Sequence, residues 1–282
     1  MTQPTASRIV AALEKQLGVA LLVRNTRAVT LTEAGVDFLT RCEAILAALE
    51  EAEHAARGTD ELRGTLRVAA SHSFAIRLLM PRLSRFANQH PKLKMEFMLG
   101  DVPHDLINES VDVALRIGSL GNSTAVARKI GTVHRVLVAA PDYLTRSGTP
   151  VRPEDLTAHS IVIGPAGGSP EGWSFRKAGQ TISLRVEGRF TIDSAEAATV
   201  AAVAGWGILS TGHGSVRAEL ESGQLLLLLP DWEMGSSDVS VILPAGRAAK
   251  PSARAFANFI AGEMREIEAL NPWELVKRNR TA

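Results

Sequence analysis

Thr2-Gln3-Pro4-Thr5-Ala6-Ser7-Arg8 opens the stretch whose reading decides this chain; Leu17-Gly18-Val19-Ala20-Leu21-Leu22 and Leu31-Thr32-Glu33-Ala34-Gly35 complete it. Pro4 suits the first turn of a helix, where its φ is already helical and an N–H would lack an intrahelical acceptor anyway. Ile9, Leu13 and Leu17 recur every four residues and give that helix an apolar face, expected to be buried under other helices. Gly18 tolerates positive φ and ends it. Residues 21–24 and 29–31 read as two short strands with Asn25-Thr26-Arg27 at the tip. The helix start carries Thr2, Gln3, Thr5, Ser7 and Arg8. Such side chains match base edges in the major groove: glutamine pairs with adenine, arginine with guanine, and hydroxyls take base or phosphate. Arg24 and Arg27 on the hairpin would meet phosphates or the minor groove. On chemistry alone, a capped amphipathic helix followed by a basic hairpin also suits a plain solvated face, and that alternative stays open here.

Charge changes sign along this region. Arg8, Lys15, Arg24 and Arg27 stand against Glu14 alone in residues 1–30, whereas residues 43–53 carry Glu43, Glu50, Glu51 and Glu53 and no base. The basic element suits phosphates and the acidic one solvent. Thr32 is a good N-cap and Glu33 suits the positive end of a helix. From there Gly35, Phe38, Cys42, Ile45, Leu49, Ala52 and Ala56 alternate by three and four, widened by Leu39 and Leu46, like the seam of a coiled coil. The expected helix is longer than a compact domain needs, so a partner helix is expected. Packing on the chain's own core is the alternative. Cys42 reads as a small buried hydrophobe on this stripe rather than a redox sensor.

Residues 57–64 are polar, glycine-flanked and aperiodic, and read as a linker. Beyond it strands alternate with helices. Strands are expected at 65–70, 93–99, 111–117, 126–129, 133–139, 160–163, 207–210, 224–229 and 239–243. Helices are expected at 74–89, 102–109, from Pro141, and at 195–204, 216–221 and 253–267. A hairpin is expected to pair 183–186 with 189–192. This order predicts an α/β fold with parallel sheets, in two lobes between which the chain crosses twice. Ligands in such folds sit at the carboxyl ends of the strands. Ser71-His72-Ser73 and Asp193-Ser194-Ala195 each open a helix at such a place. Their N–H groups and hydroxyls suit a carboxylate or other anion. Gly100 and Asp101 should line the same mouth, where Asp101 would repel an anionic ligand. The alternative is that Ser71, Ser73 and Ser194 simply cap their helices.

Composition sets outer limits. A net charge of +1 requires any nucleic-acid contact to be local. One cysteine excludes an internal disulfide and a cysteine-built zinc site and suits a reducing compartment. No basic segment leads into an apolar run as in a signal peptide, and the apolar run 225–229 is far too short to span a membrane. A cytoplasmic location without membrane contact is expected. The seven histidines, His54 to His213, lack metal-ligand spacing. Gly212-His213-Gly214-Ser215 is not a Gly-x-Ser-x-Gly elbow, and residues 164–168 lack the Lys-Ser/Thr ending of a phosphate loop. No catalysis, metal or cofactor is expected.

The ordered motifs of residues 2–35 resemble the DNA-reading end of LysR-type transcriptional regulators. Val136-Leu137-Val138-Ala139-Ala140-Pro141-x-Tyr143-Leu144, Leu229-Pro230-Asp231-Trp232 and Ala255-Phe256-x-x-Phe259-Ile260 extend the likeness over essentially the whole chain. The resemblance implies a partial winged helix-turn-helix at 1–31, a linker and dimerisation helix at 32–57 and a hinge at 58–64. It also implies a periplasmic-binding-protein-like effector domain at 65–270. Lobe I would take 65–139 plus 239–270 and lobe II 140–238, leaving 271–282 as a tail. In that family about two helices precede the Thr-Gln-Pro run, so an upstream start is expected in preference to a truncated regulator. The implied partners are promoter DNA, a small polar or aromatic effector held between the lobes, and further copies of the chain, as dimer or tetramer. The rival class is a small-molecule binder of periplasmic-binding-protein type without DNA binding.

Overall fold

The computed structural model describes residues 3–24, 29–56, 61–101, 106, 109–118, 126–165 and 172–269. The expected helix at 102–109, the hairpin tip and the tail from 271 therefore lie wholly or largely outside the described residues.

α1 (Gln3–Leu17) ends at Gly18, which has φ +70° and donates its N–H to the Glu14 carbonyl. β1 (Leu22–Arg24) and β2 (Val29–Leu31) pair antiparallel. α2 (Glu33–Ala56) follows. The joint between these pieces is specific. The Glu14 side chain accepts the Leu21 and Leu22 N–H groups at 2.7 and 2.9 Å. Thr32 Oγ1 accepts the Gly35 N–H at 2.9 Å and donates to the Ala20 carbonyl at 2.8 Å, so one hydroxyl both caps α2 and ties it to the turn after α1. Gly35 is required for the same contact, since a Cβ there would sit 2.1 Å from the Leu21 carbonyl oxygen. Glu14, the one acid of the basic stretch, is thus a structural acceptor.

β3 (Gly64–Ala70) leads into α3 (His72–Phe74), which continues as a π turn (Ala75–Leu79), a 3-10 turn (Met80–Arg82) and α4 (Leu83–Gln89). The single helix expected over 74–89 is thus broken. Pro81 has no N–H for the α pattern. β4 (Leu93–Leu99), β5 (Val113–Ile117) and β6 (Val126–Ala139) follow. β6 runs unbroken where two runs were expected. α5 (Pro141–Ser147), β7 (Ile161–Ile163), β8 (Trp173–Lys177) and β9 (Gln180–Leu184) come next. Then come β10 (Phe190–Thr191), α6 (Ala195–Val203), β11 (Ile208–Gly212) and α7 (Arg217–Glu221). β12 (Leu226–Leu228), β13 (Ser236–Leu243) and α8 (Pro251–Ala269) complete the chain. None of the described helices is long and apolar enough to cross a membrane.

The expected 183–186 with 189–192 hairpin does not form. β9 turns back onto β8 through Ala178 and Gly179, at φ 48° and 83°, and β10 goes to β7. Two central residues with positive φ make the tight turn whose twist matches paired strands.

The sheet runs β10-β7-β11-β6-β13-β5-β3-β4, with β12 also on β6. β3 lies parallel between β4 and β5, and β7 parallel between β10 and β11. β6 and β13 are antiparallel to their neighbours, so the sheet is mixed rather than wholly parallel. In one half Leu66, Val68, Phe74, Phe86, Phe256 and Ile260 pack together. In the other, β6 is buried on both faces. Leu137 and Ala139 meet Ile161, Trp173 and Phe175, while Val136 and Val138 meet Val162, Ala198 and Leu209. A strand covered on both faces needs a continuous apolar run, which 136–140 is.

Thr32→Ala should destabilise the start of α2 by about 1 kcal/mol, read as faster amide hydrogen exchange at Gly35. Exchange at the wild-type rate would remove the cap from this account.

Candidate functional site

Two places collect the residues singled out above. The first is α1 with its hairpin. Ser7 is half-buried and Arg8 exposed on α1. Gln3 and Thr5 lie in the first turns of α1 and Arg24 ends β1, but their side chains fall outside the described part, as do Thr2 and Arg27 altogether. The apolar face departs from expectation. Ile9 and Leu17 are exposed, as are Val23, Val29 and Leu31 on the hairpin, and nothing among the described residues covers them. On α2, Val36, Leu39, Ile45, Leu46 and Leu49 are likewise exposed.

The second place is the mouth between the two halves of the sheet. In-register pairing of Ala70 with Leu99 puts Ser71 and Gly100 side by side beyond the strand ends, and the Gly100 N–H donates to the Ala70 carbonyl. Ser194 precedes α6, which packs against α3. Asp101 joins the two. Its Oδ1 accepts the His72 N–H at 3.2 Å and its Oδ2 accepts the Ala195 N–H at 3.1 Å. The Asp101 side chain is only 9% exposed, with His72 Nδ1 at 4.0 Å. Both donors belong to first-turn N–H groups that have no acceptor within their own helix, and the positive end of a helix favours a carboxylate there. The structure therefore brings Ser71, His72, Ser73, Gly100, Asp101, Ser194 and Ala195 to one mouth. Asp101, expected to line this mouth, is the acceptor shared by the two helix starts.

The serines divide. Ser194 Oγ accepts the Ala197 N–H at a long 3.4 Å, a weak cap. Ser71 makes no side-chain cap. Ser73 Oγ is buried without a hydrogen-bond partner, as is Ser210 Oγ on β11. A buried hydroxyl left unpaired costs free energy until something supplies its bond. Capping alone thus does not account for Ser71 and Ser73.

Sequence reading missed an ion-pair group at the same mouth. Arg77, on the π turn, holds Glu196 of α6 through two nitrogens, at 2.8 Å from Nη2, and Glu219 of α7 at 2.7 Å from Nη1. These hydrogen bonds, Glu196 first, hold the Arg77 pKa above its ordinary value. Arg77 stood out in sequence only as a charge among Ile76, Leu78 and Leu79, and spacing cannot pair it with residues far along the chain. Below it the turn His213–Ser215 packs on the π turn. Burial pushes the His213 pKa down, reinforced by Arg217 and His134 and opposed by Glu221. No group of residues that could hold a metal ion occurs among the described residues.

Comparison with known proteins gives concordant results. The family model described as "LysR substrate binding domain" matches residues 59–265. That described as "Bacterial regulatory helix-turn-helix protein, lysR family" matches residues 1–36. The chain is 33% identical over 265 residues to YhjC of Escherichia coli, an uncharacterized HTH-type transcriptional regulator, covering 93% of this chain and 89% of that one. Its fold is similar to CrgA, a LysR-type transcriptional regulator from Neisseria meningitidis, with TM-score 0.66, 28% identity, and 94% and 90% of the two chains covered. It is also similar to full-length AphB, a virulence activator of Vibrio cholerae, with TM-score 0.63, 29% identity, and 93% and 90% covered.

Because the native state holds the His213 pKa down, the unfolded chain takes up that proton first, near pH 6.5. The His213 contribution to stability is therefore whole above that pH and declines as pH falls through it. His213→Gln should flatten this decline, seen in urea midpoints between about pH 7.5 and pH 5.5. An equally steep fall in the variant would contradict the assignment.

Proposed function

Given that this chain belongs to the LysR family of transcriptional regulators, we propose that α1 and the β1–β2 hairpin contact promoter DNA while a small molecule at the mouth of the two-lobed domain sets the output. Thr2, Gln3, Thr5, Ser7 and Arg8 are the base-facing and phosphate-facing candidates on the helix, with Arg24 and Arg27 on the hairpin. The effector candidates are Ser71, His72, Ser73, Gly100, Ser194 and Ala195, grouped around Asp101. The observation that carries this reading is the meeting of two helix starts, at His72 and Ala195, on the one Asp101 carboxylate between the halves. The unpaired Ser73 hydroxyl in the same turn supports it.

In this reading residues 65–139 with 239–270 form one lobe and 140–238 the other, 58–64 is the hinge to α2, and residues 32–57 mediate self-association. The exposed Val36, Leu39, Ile45, Leu46 and Leu49 on α2 favour that last role, since an uncovered apolar stripe of this kind marks an interface. The chain works in the cytoplasm and carries out no chemistry of its own.

DNA binding is tested by anisotropy titration of promoter DNA at several salt concentrations. The logarithm of the binding constant should fall linearly with that of salt, by roughly 0.9 for each phosphate neutralised, and Arg8→Ala should make the slope shallower. Salt-independent or absent binding would leave the small-molecule binder without DNA recognition as the better description. For the mouth, a promoter-reporter screen identifies the inducing metabolite. Ser71→Ala and Ser194→Ala should then each raise the concentration for half-maximal response by about 2- to 10-fold, the value of one lost hydrogen bond, without unfolding the protein; only Ser194→Ala, which also loses the weak cap of α6, should lower the melting temperature slightly. An unaltered response in both variants would sink the assignment.

A further inference from the structure

The polar contacts at the mouth are lopsided in charge. Asp101 lies between the helix starts, Glu196 of α6 and Glu219 of α7 bind Arg77, and Asp193 is exposed just ahead of Ser194. Arg77 bridges the halves as a cation, and it is matched by two carboxylates already. An incoming anion would meet a set of acids and find the two first-turn N–H groups taken.

We propose that Asp101 is the resident anion of this mouth, occupying the position between the starts of α3 and α6 that a small carboxylate would otherwise fill, and so confining the effector to molecules without a negative charge at that point. The inference rests on the mouth being the effector site and names the class of ligand it accepts. Geometry carries it. One carboxylate oxygen serves each helix start, at 3.2 and 3.1 Å, and the side chain is 9% exposed. A tethered carboxylate has already given up its translational freedom, so it outcompetes a free one at ordinary concentrations. A second carboxylate beside it would be repelled or would have to take up a proton. Asp101 also makes the joint between the halves self-sufficient, since His72 and Ala195 are bridged by a group of the chain itself.

The test uses the purified full chain and no inducer. Amide hydrogen exchange is followed at His72 and Ala195 in wild type, Asp101→Ala and Asp101→Asn, with and without sodium acetate, against sodium chloride at equal ionic strength. Asp101→Ala should exchange about tenfold faster or more at both amides, the loss expected for hydrogen bonds to a charged acceptor. Acetate should restore protection in Asp101→Ala in a saturable way and leave wild type unchanged. Asp101→Asn keeps the shape with one acceptor oxygen and should fall between, which guards against a folding defect in the alanine variant. Wild-type exchange rates in both variants would overturn the proposal. So would acetate protection of wild type equal to that of Asp101→Ala, or lost protection that acetate does not restore, which would make Asp101 a structural contact only. Because no inducer is present, these outcomes are independent of whether Ser71 and Ser194 govern the reporter response.

Discussion

β6 runs for 14 residues, and both halves of the sheet hang on it. Residues 126–134 pair with β13, while residues 135–139 pair with β11 and β12. Its second part is buried on both faces, so Val136 and Val138 serve one cluster while Leu137 and Ala139 serve another. A one-residue slip in such a strand would swap the two sets. The register with β13 shifts at Val239/Ser240, opposite Gly131 and Lys129, so that Ile130 is passed over within that pairing. The mouth depends on this strand, because the α3 start comes from one half and the α6 start from the other. They come within reach of a single carboxylate because β6 fixes the distance between the halves.

A similar economy governs the other end of the chain. Glu14, Ala20, Leu21, Thr32 and Gly35 form one joint in which a side chain holds the hairpin to α1 and a missing side chain lets α2 approach the Leu21 carbonyl. These are short-range contacts between neighbours in sequence. They explain why the basic hairpin and the long acidic helix have a fixed relation even though Ile9 and Leu17 on α1 stay uncovered.

The parts legible from sequence are those set by local chemistry. The Thr32 cap, the Gly18 stop and the ends of α1 and β2 follow from one or two residues each, and the structure agrees with them. Ser71 and Ser194 were findable because helix starts after strands have a recognisable pattern. The break at 75–82 turns on Pro81, a local signal passed over because the apolar spacing runs through it. The continuity of β6 through Gly131 and the pairing of β9 with β8 are decided by neighbours distant in sequence or by a turn whose residues look ordinary. Ala178 at positive φ gives no compositional warning. Arg77 is the extreme case, since its partners Glu196 and Glu219 lie on elements that only the assembled sheet brings near.

Two bridging contacts between the halves end on consecutive residues of one helical turn. Asp101 takes the Ala195 N–H and Arg77 takes the Glu196 side chain. Neither can be strained without the other, because the first turn of α6 moves as a rigid piece. A rotation that drew this turn away would lengthen both together. The halves are thus latched at two adjacent residues, and anything that parts them has to release a helix-start hydrogen bond and an ion pair together.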